Sequence, residues 1–455
     1  MSHFALQSKR VIISNEMIAA CIEVKGEAVY AIHPYAHPLT CPITDVGDDV
    51  IMPGLVDSHV HINEPGRTEW EGFNTATQAA AAGGITTLVD MPLNCIPVTT
   101  TKAAFEEKLA AVTDKLWVDC GFWGGVIPDN IDQLDELLSA GVLGVKSFLI
   151  DSGIAEFPNV DANDIRRAMP ILAAHDVPYL IHAELDCGGH QAAIITEKYQ
   201  SFLDSRPKKW ENDAIELMVE MAAEAKGNGN DCKVHIVHLS SDEGLTRIAK
   251  AKAKGLRFTA ETCPHYLTIA AENIPDGKTL FKCCPPIRED NNRENLWQAV
   301  KDGRISFIVS DHSPCTPELK HIDSGDIEKA WGGISALQFG LPLIWTEAQQ
   351  RGFTLVDLAR LMSFETAKFA GLDSIKGTIS VGHHADFLVF DDASRFVITN
   401  EMIKHKHKIT PYVGREVCGV IKQTFVRGRQ VYGDDQFINK PIGKPLLKGH
   451  LGNKQ

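Results

Sequence analysis

Short apolar runs alternate with longer amphipathic stretches through most of this chain, and the pattern changes character at both ends. In residues 1–50 the apolar positions form brief β-rich runs, at 11–13 and 19–24, broken by polar residues and Gly26. Eight strand-like runs follow, at 50–59, 85–90, 117–123, 143–149, 178–182, 234–238, 257–261 and 306–311. The stretches between them, such as 75–82, 101–112, 130–139, 162–175, 213–225 and 242–253, carry helical spacing. Eight βα repeats over about 320 residues predict an α/β fold, a TIM (β/α)8 barrel with insertions. An open doubly wound sheet is the alternative, but no Gly-rich phosphate loop stands after a strand.

Beyond Gly377 the strand pattern returns, at 385–390, 396–398, 420–426 and 430–432. Chain termini often lie close together, so the two β-rich flanks are expected to pair into one small β-sandwich. The expected organisation is 1–50 as the first part of the sandwich, 51–377 as the barrel, 378–434 as the second part and 435–455 as a C-terminal tail.

Composition narrows the class. Of 455 residues, 45 are Lys or Arg and 59 are Asp or Glu, for a formal charge of −14. Such a chain is repelled by phosphate backbones and anionic membranes, so neither nucleic acid nor membrane is an expected partner. No run of 18 apolar residues suits a membrane span, and residues 1–10 lack the apolar core of a secretion signal. The 11 cysteines include no C-x-x-C pair, which suggests reduced thiols and a cytoplasmic setting. The adjacent Cys283 and Cys284 read as buried, inert thiols.

In a barrel of this kind the active site lies at the C-terminal ends of the strands. Polar residues at those ends are Asp57, His59 and His61 on the first, Lys146 within the fourth, His182 on the fifth, His238 on the sixth and Asp311 on the eighth. His59 and His61 are two apart, so strand periodicity turns both imidazoles to one side. His235 lies three before His238 and faces the other way. A second H-x-H, His405 and His407, sits among lysines after the barrel and reads as a solvated or subunit-contact segment. Lys146 stands alone in an apolar run. Such a lysine either reaches outward to a partner or loses its proton to burial, and the neutral amine can take up carbon dioxide. The resulting carbamate could bridge two cations.

Asp57-Ser58-His59-Val60-His61, Lys146, His182, His238 and Asp311 together resemble the metal-binding pattern of the amidohydrolase superfamily. Within it the chain is most similar to the allantoinase group of cyclic amidases. The resembling segments are Glu64-Pro65-Gly66-Arg67-Thr68-Glu69-Trp70-Glu71-Gly72, Asp90-Met91-Pro92-Leu93-Asn94, Glu261-Thr262-Cys263-Pro264-His265-Tyr266 and Pro285-Pro286-Ile287-Arg288. Ser310-Asp311-His312-Ser313-Pro314-Cys315, Ala330-Trp331-Gly332-Gly333-Ile334 and Pro411-Tyr412-Val413-Gly414-Arg415 complete the likeness.

The resemblance implies two divalent cations per subunit, with zinc favoured over cobalt, manganese or iron. His59, His61 and Asp311 would hold one and His182 and His238 the other, bridged by N6-carboxylated Lys146. A hydroxide shared by the cations would open the hydantoin ring of allantoin to allantoate, with Asp311 as catalytic proton shuttle. A homotetramer acting on a small cyclic ureide is implied as well.

Other cyclic amidases are the alternatives. Dihydroorotases carry an arginine where this chain has Asn63, unless Arg67 or Arg288 takes that role. Dihydropyrimidinases carry a tyrosine soon after the lysine, and residues 147–157 hold none. A non-catalytic scaffold of dihydropyrimidinase-like type would have lost metal ligands that this chain keeps. Candidate substrate contacts are Asn94, Cys284, Ser313 and the backbone of Gly333.

Overall fold

The structure is a computed structural model and describes residues 3–188, 194–438 and 440–449. The N-terminal flank supplies β1 (His3–Ile13), β2 (Glu16–Lys25), β3 (Ala28–Pro34), β4 (Ile43–Asp45) and β5 (Val50–Pro53). Alternation of buried and open positions along β1 and β2 puts Leu6, Ile22 and Val24 on one side, where they meet Phe387, Val389 and Phe425 of the other flank.

The barrel strands follow: β6 (Leu55–Val60), β7 (Ile85–Asp90), β8 (Asp119–Phe122), β9 (Gly124–Gly125), β10 (Val145–Phe148), β11 (Pro178–His182), β12 (Lys233–Ile236), β13 (Phe258–Thr262) and β14 (Phe307–Ile308). They pair in parallel as two arcs, β6-β7-β8 and β9-β10-β11-β12-β13-β14. Only Trp123 separates β8 from β9, so they are one barrel strand that changes partner midway. Bridging of Val60 to His312 closes the ring.

Along each strand the pleat divides the side chains between two apolar layers. In β11, Tyr179 and Ile181 join the layer under the helices, while Leu180 faces inward with Trp123 and Phe148. The crossover helices follow the sequence periodicity. The helix Ala162–His175 starts at Asp161, whose side chain accepts from the N–H groups of Asn163 and Asp164 while its own N–H donates to the Asp164 carboxylate, and it ends at Asp176 in the left-handed region.

The C-terminal flank adds β15 (Phe387–Val397), β16 (Glu416–Val426), β17 (Arg429–Gly433) and β18 (Gln436–Phe437). β15 pairs with β5, so both flanks form one nine-stranded sheet in the order β18-β17-β16-β15-β5-β1-β2-β3, with β4 on β1. The sequence run at 50–59 is therefore two strands. Val50–Pro53 belongs to this sheet, and the barrel begins only at Leu55, after Gly54. The reads at 385–390 and 396–398 are one strand whose register shifts at Asp391 to Arg395.

The segment read as a tail is docked rather than loose within its described part. Cys120 donates to Lys444 O at 3.0 Å and accepts from Leu446 N at 2.8 Å, and Gly443 N reaches Leu116 O at 2.7 Å. These bonds cover the edge of β8 that β9 leaves when it turns to β10. Residues 439 and 450–455 lie outside the described residues.

Candidate metal centre and active site

Six side chains converge at the C-terminal rim of the barrel. Lys146 and Leu180 are cross-strand partners on β10 and β11, as are Phe148 and His182, so Lys146 and His182 stand on one inward face. The Phe148 ring stacks on His182 at 4.4 Å. His59 Nε2 lies 3.1 Å from Asp311 Oδ1, and His61 Nε2 lies 3.7 Å from the same oxygen. Lys146 Nζ is 3.3 Å from His59 Nε2. On the opposite side His182 Nδ1 faces His238 Nε2 at 3.0 Å.

His238 and Asp311 depart from the strand geometry expected of them. β12 ends at Ile236 and β14 at Ile308, and both residues have left-handed backbone, with φ of 38° and 44°. A non-glycine residue there is strained, and such strain concentrates where a side chain must be aimed. The turn brings His238 to the rim even though the pleat has already ended.

A second layer of carboxylates fixes the rings. Glu261, at the end region of β13, binds His59 Nδ1 and, at 3.0 Å, His235 Nε2. Glu184 accepts from His182 Nε2 at 2.9 Å and is gripped by Arg206 through two bonds of 2.9 and 2.6 Å. Asp57 does not face the centre. It accepts the backbone N–H of His59 at 3.1 Å and that of Ser310 at 3.1 Å, tying the first barrel strand to the segment that carries Asp311.

Burial sets the protonation of the cluster. Desolvation lowers the pKa of His59, His61, His182 and His238, leaving their imidazoles neutral. Burial lowers the Lys146 amine to about 8 and raises the Asp311 carboxyl. Burial alone would raise Glu184, but the Arg206 guanidinium overrides it and holds the carboxyl well below its usual range.

The donor set fits divalent cations. His59 and His182 each turn one nitrogen to a carboxylate and the other to the centre, the arrangement that orients a metal-binding imidazole. His182 Nδ1 and His238 Nε2 face each other with both rings held neutral, a pairing that a cation between them would satisfy. His59, His61 and Asp311 bring ligand atoms within 4.8 Å of one another.

Above the centre opens a cavity of about 730 Å³. The structure places all four candidate substrate contacts, Asn94, Cys284, Ser313 and Gly333, on its wall. Asn94 Oδ1 is buried with no hydrogen-bond partner among the described residues. Gly333 is more constrained than a free backbone contact would be. Its N–H donates to Lys282 O at 3.0 Å, and its carbonyl accepts from buried Lys320.

Several sequence expectations change here. Asn63 is not on the cavity wall; its amide donates to Pro314 O at 3.2 Å. Arg67 is held by Asn94 O at 3.0 Å and by Glu156, and Arg288 is paired with Glu211 at 2.7 Å. Besides Lys146, the basic side chains that reach the cavity are Arg206, Lys282 and Lys329. His405 is not solvated: it is 1% exposed and its ring packs on His312 at 5.2 Å. Cys283 is buried as expected, but Cys284 lines the cavity.

Glu261, Glu184 and Arg206 went unnoticed in the sequence. Glu261 carried the same signal as the ligands, a charged residue ending an apolar run. Glu184 sits two residues beyond His182. Arg206 had no local signal, because its role comes from a contact 22 residues away.

Comparison with known proteins agrees with this geometry. The amidohydrolase family model matches residues 50–431. The chain belongs to the amidohydrolase family and is a metal-dependent cyclic amidohydrolase. It is 46% identical over 449 residues to the allantoinase of Streptomyces avermitilis, covering 97% of this chain and 98% of that protein. It is 48% identical to the allantoinase of Saccharomyces cerevisiae over 89% of this chain and 88% of that protein. Within the family the chain therefore falls among the allantoinases. A solved L-hydantoinase (dihydropyrimidinase) from Arthrobacter aurescens superposes with a TM-score of 0.90 at 27% identity, covering 98% of this chain and 100% of that one.

Proposed function

We propose that this protein opens the hydantoin ring of allantoin by hydrolysis, giving allantoate. The observation that carries the reading is the convergence of four neutral histidines and Asp311 around Lys146 at the floor of the cavity. The allantoinase relatives, matched over nearly the full chain, support the substrate.

His59, His61 and Asp311 would hold one divalent cation, and His182 and His238 a second, with Lys146 between them. When bound, the cations supply Lewis acidity, polarising the ring carbonyl and lowering the pKa of water toward about 7. Zinc suits nitrogen and oxygen donors without thiolate.

Lys146 is 1% exposed, and its amine sits 3.3 Å from His59 Nε2. Its neutral amine would attack carbon dioxide, forming the N–C bond and releasing one proton to leave a carbamate with two oxygens. Asp311 accepts the proton of the attacking water as the new C–O bond forms. It returns that proton to the ring nitrogen as the C–N bond breaks. Glu261 and Glu184 keep the His59 and His182 rings aligned throughout.

A neutral substrate suits the cavity charges. Arg206 is spent on Glu184, Lys329 pairs with Asp326 at 2.9 Å, and Lys282 is engaged by the Glu328 carbonyl at 2.8 Å. A substrate carboxylate would need a free cation, whereas a ureido tail needs neutral donors and acceptors, such as Asn94 and Ser313. The eleven free cysteines suit a reducing compartment. No helix among the described residues is long and apolar enough to cross a membrane. A homotetramer is the expected assembly, readable by light scattering.

The test is kcat/KM for allantoin, dihydroorotate and dihydrouracil under one metal condition. Allantoin is expected to lead. If either rival is turned over more efficiently, the substrate is wrong and the cyclic-amidase chemistry stands. Asp311→Asn should lower kcat by about two or more orders of magnitude, as loss of a positioned acid–base group does. Lys146→Ala should be inactive and partly rescued by short-chain carboxylic acids.

A further inference from the structure

Among the described residues, three further groups of possible metal donors occur beside the one at the centre. One, Asp119 with His384 and Asp386, is already filled by the ammonium of Lys376. Another, Cys263 with His265, shares Asp311 with the centre itself. A third lies on the β-rich domain and shares nothing with the active site: His3, Glu23 and Cys41, with His33 beside them.

Strand pairing builds this third group. His3 opposes Lys25, Ala5 opposes Glu23, and Cys21 opposes His33. Cross-strand partners share a face, so His3, Glu23, Cys21 and His33 stand on one side of β1, β2 and β3. It is the side away from Leu6, Ile22 and Val24, which fill the domain core. Cys41, in the loop before β4, packs over the same face against Ala5 and Cys21.

The donors are close and preorganised. Glu23 Oε1 lies 2.7 Å from His3 Nε2 and Oε2 lies 2.9 Å from His33 Nε2. The ligand atoms of His3, Glu23 and Cys41 all fall within 4.8 Å of one another. Hydrogen bonds from His33 and then His3 hold the Glu23 carboxyl down to about 2, so it is fully ionised. The His33 ring is braced by a parallel stack on His37 at 4.6 Å. Lys25 competes for Glu23 Oε1 at 3.4 Å, but its amine also lies 3.4 Å over the Tyr30 ring, where it can stay when displaced.

We propose that His3, Glu23, His33 and Cys41 form a second, non-catalytic site for a divalent cation of borderline softness, zinc in particular. Two imidazoles, a carboxylate and a thiolate are zinc donors, and four of them make a closed structural site. Bonds of about 2.0–2.3 Å place tetrahedral donors about 3.3–3.8 Å apart. Within His3, Glu23 and Cys41 the widest pair must close by at most about 1–1.5 Å, and His33 joins from its 2.9 Å contact with Glu23. The four come from β1, β2, β3 and the loop before β4, so the cation clasps the outer end of the nine-stranded sheet.

The probe is cobalt(II), loaded into the full-length protein kept reduced. The six proposed active-site ligands contain no thiolate, so a thiolate-to-cobalt charge-transfer band in the near ultraviolet reports this site. The band should vanish in Cys41→Ser and survive in Cys263→Ser and Cys284→Ser. Zinc content by mass spectrometry should fall by about one equivalent per chain in His3→Ala/His33→Ala, with ring-opening activity unchanged. Wild-type protein with no such band, and with the same zinc content as the double variant, overturns the proposal. A band that disappears with Cys263 or Cys284 instead of Cys41 overturns it equally.

Discussion

Among the described residues, Lys320 is a buried cation without a carboxylate partner. It is 3% exposed, and its ammonium donates to three backbone carbonyls: Lys282 at 3.2 Å, Trp331 at 2.9 Å and Gly333. Those carbonyls belong to two loops that line the cavity, so one side chain fixes the spacing of both walls. Three N–H donors meet three acceptors, which is why the charge survives without a carboxylate. Burial nevertheless lowers its pKa to about 8. Below that value the ammonium is intact; above it the neutral amine keeps two N–H groups for three carbonyls. KM for allantoin should therefore rise as pH passes about 8. In Lys320→Arg, which stays charged, that rise should be absent. Lys320→Met leaves the Trp331 and Gly333 carbonyls without that donor, at about 1–3 kcal/mol each, while Lys282 O keeps the Gly333 N–H; KM should rise about tenfold or more with a smaller effect on kcat. A fall in apparent kcat with KM unchanged would instead mark a general folding defect.

Residues of this kind explain what the sequence concealed. His59, His61, His182 and Lys146 were legible because a polar residue in or at the end of an apolar run is locally anomalous. Lys320 sits in a polar stretch where lysine is unremarkable, and its partners are 11 to 38 residues away. Asn63 is similar: its neighbours in sequence do not reveal that its amide turns to Pro314.

At the scale of elements, the periodic segments were read well and their ends were not. Ile85–Asp90, Pro178–His182 and Ala162–His175 stand where the pattern put them. The strands carrying His238 and Asp311 stop early because both residues turn left-handed, which no hydrophobic pattern encodes. The C-terminal segment has little periodicity of its own, because it borrows its order from β8. Its bonds to Leu116, Cys120 and Gly141, together with Lys444 N on Asp119 at 2.8 Å and buried Leu446, make it part of the barrel. At about 0.5–1.5 kcal/mol per net hydrogen bond, a truncation before Gly443 should lower unfolding free energy by several kcal/mol. Urea denaturation reads this directly. An unchanged midpoint would mean that the segment merely lies on the surface.

The whole molecule is held together where barrel, sheet and C-terminal segment meet. Lys376 follows the last barrel helix and pairs with Asp119 of β8 at 2.6 Å and with Asp386, next to β15, at 2.5 Å. Arg427, just past β16, reaches Asp119, and its backbone N–H meets Asp386 at 2.7 Å. Two cations and two carboxylates balance, all with side chains at most 5% exposed. Pairing of the two flanks was legible in the sequence as β-rich segments at both ends. This junction was not, since its charges lie far apart along the chain. Lys376→Met should leave one net buried negative charge at a cost of about 3–5 kcal/mol, the usual penalty for breaking a buried pair from one side. Lys376→Met/Asp386→Asn restores the balance while keeping an acceptor for Arg427, and should recover much of that loss. Activity per folded molecule should stay at the parental value in both, because the junction lies far from the rim residues. If denaturation shows the single variant as stable as the parent, the cluster is a bystander and the apolar contacts alone join barrel to sheet.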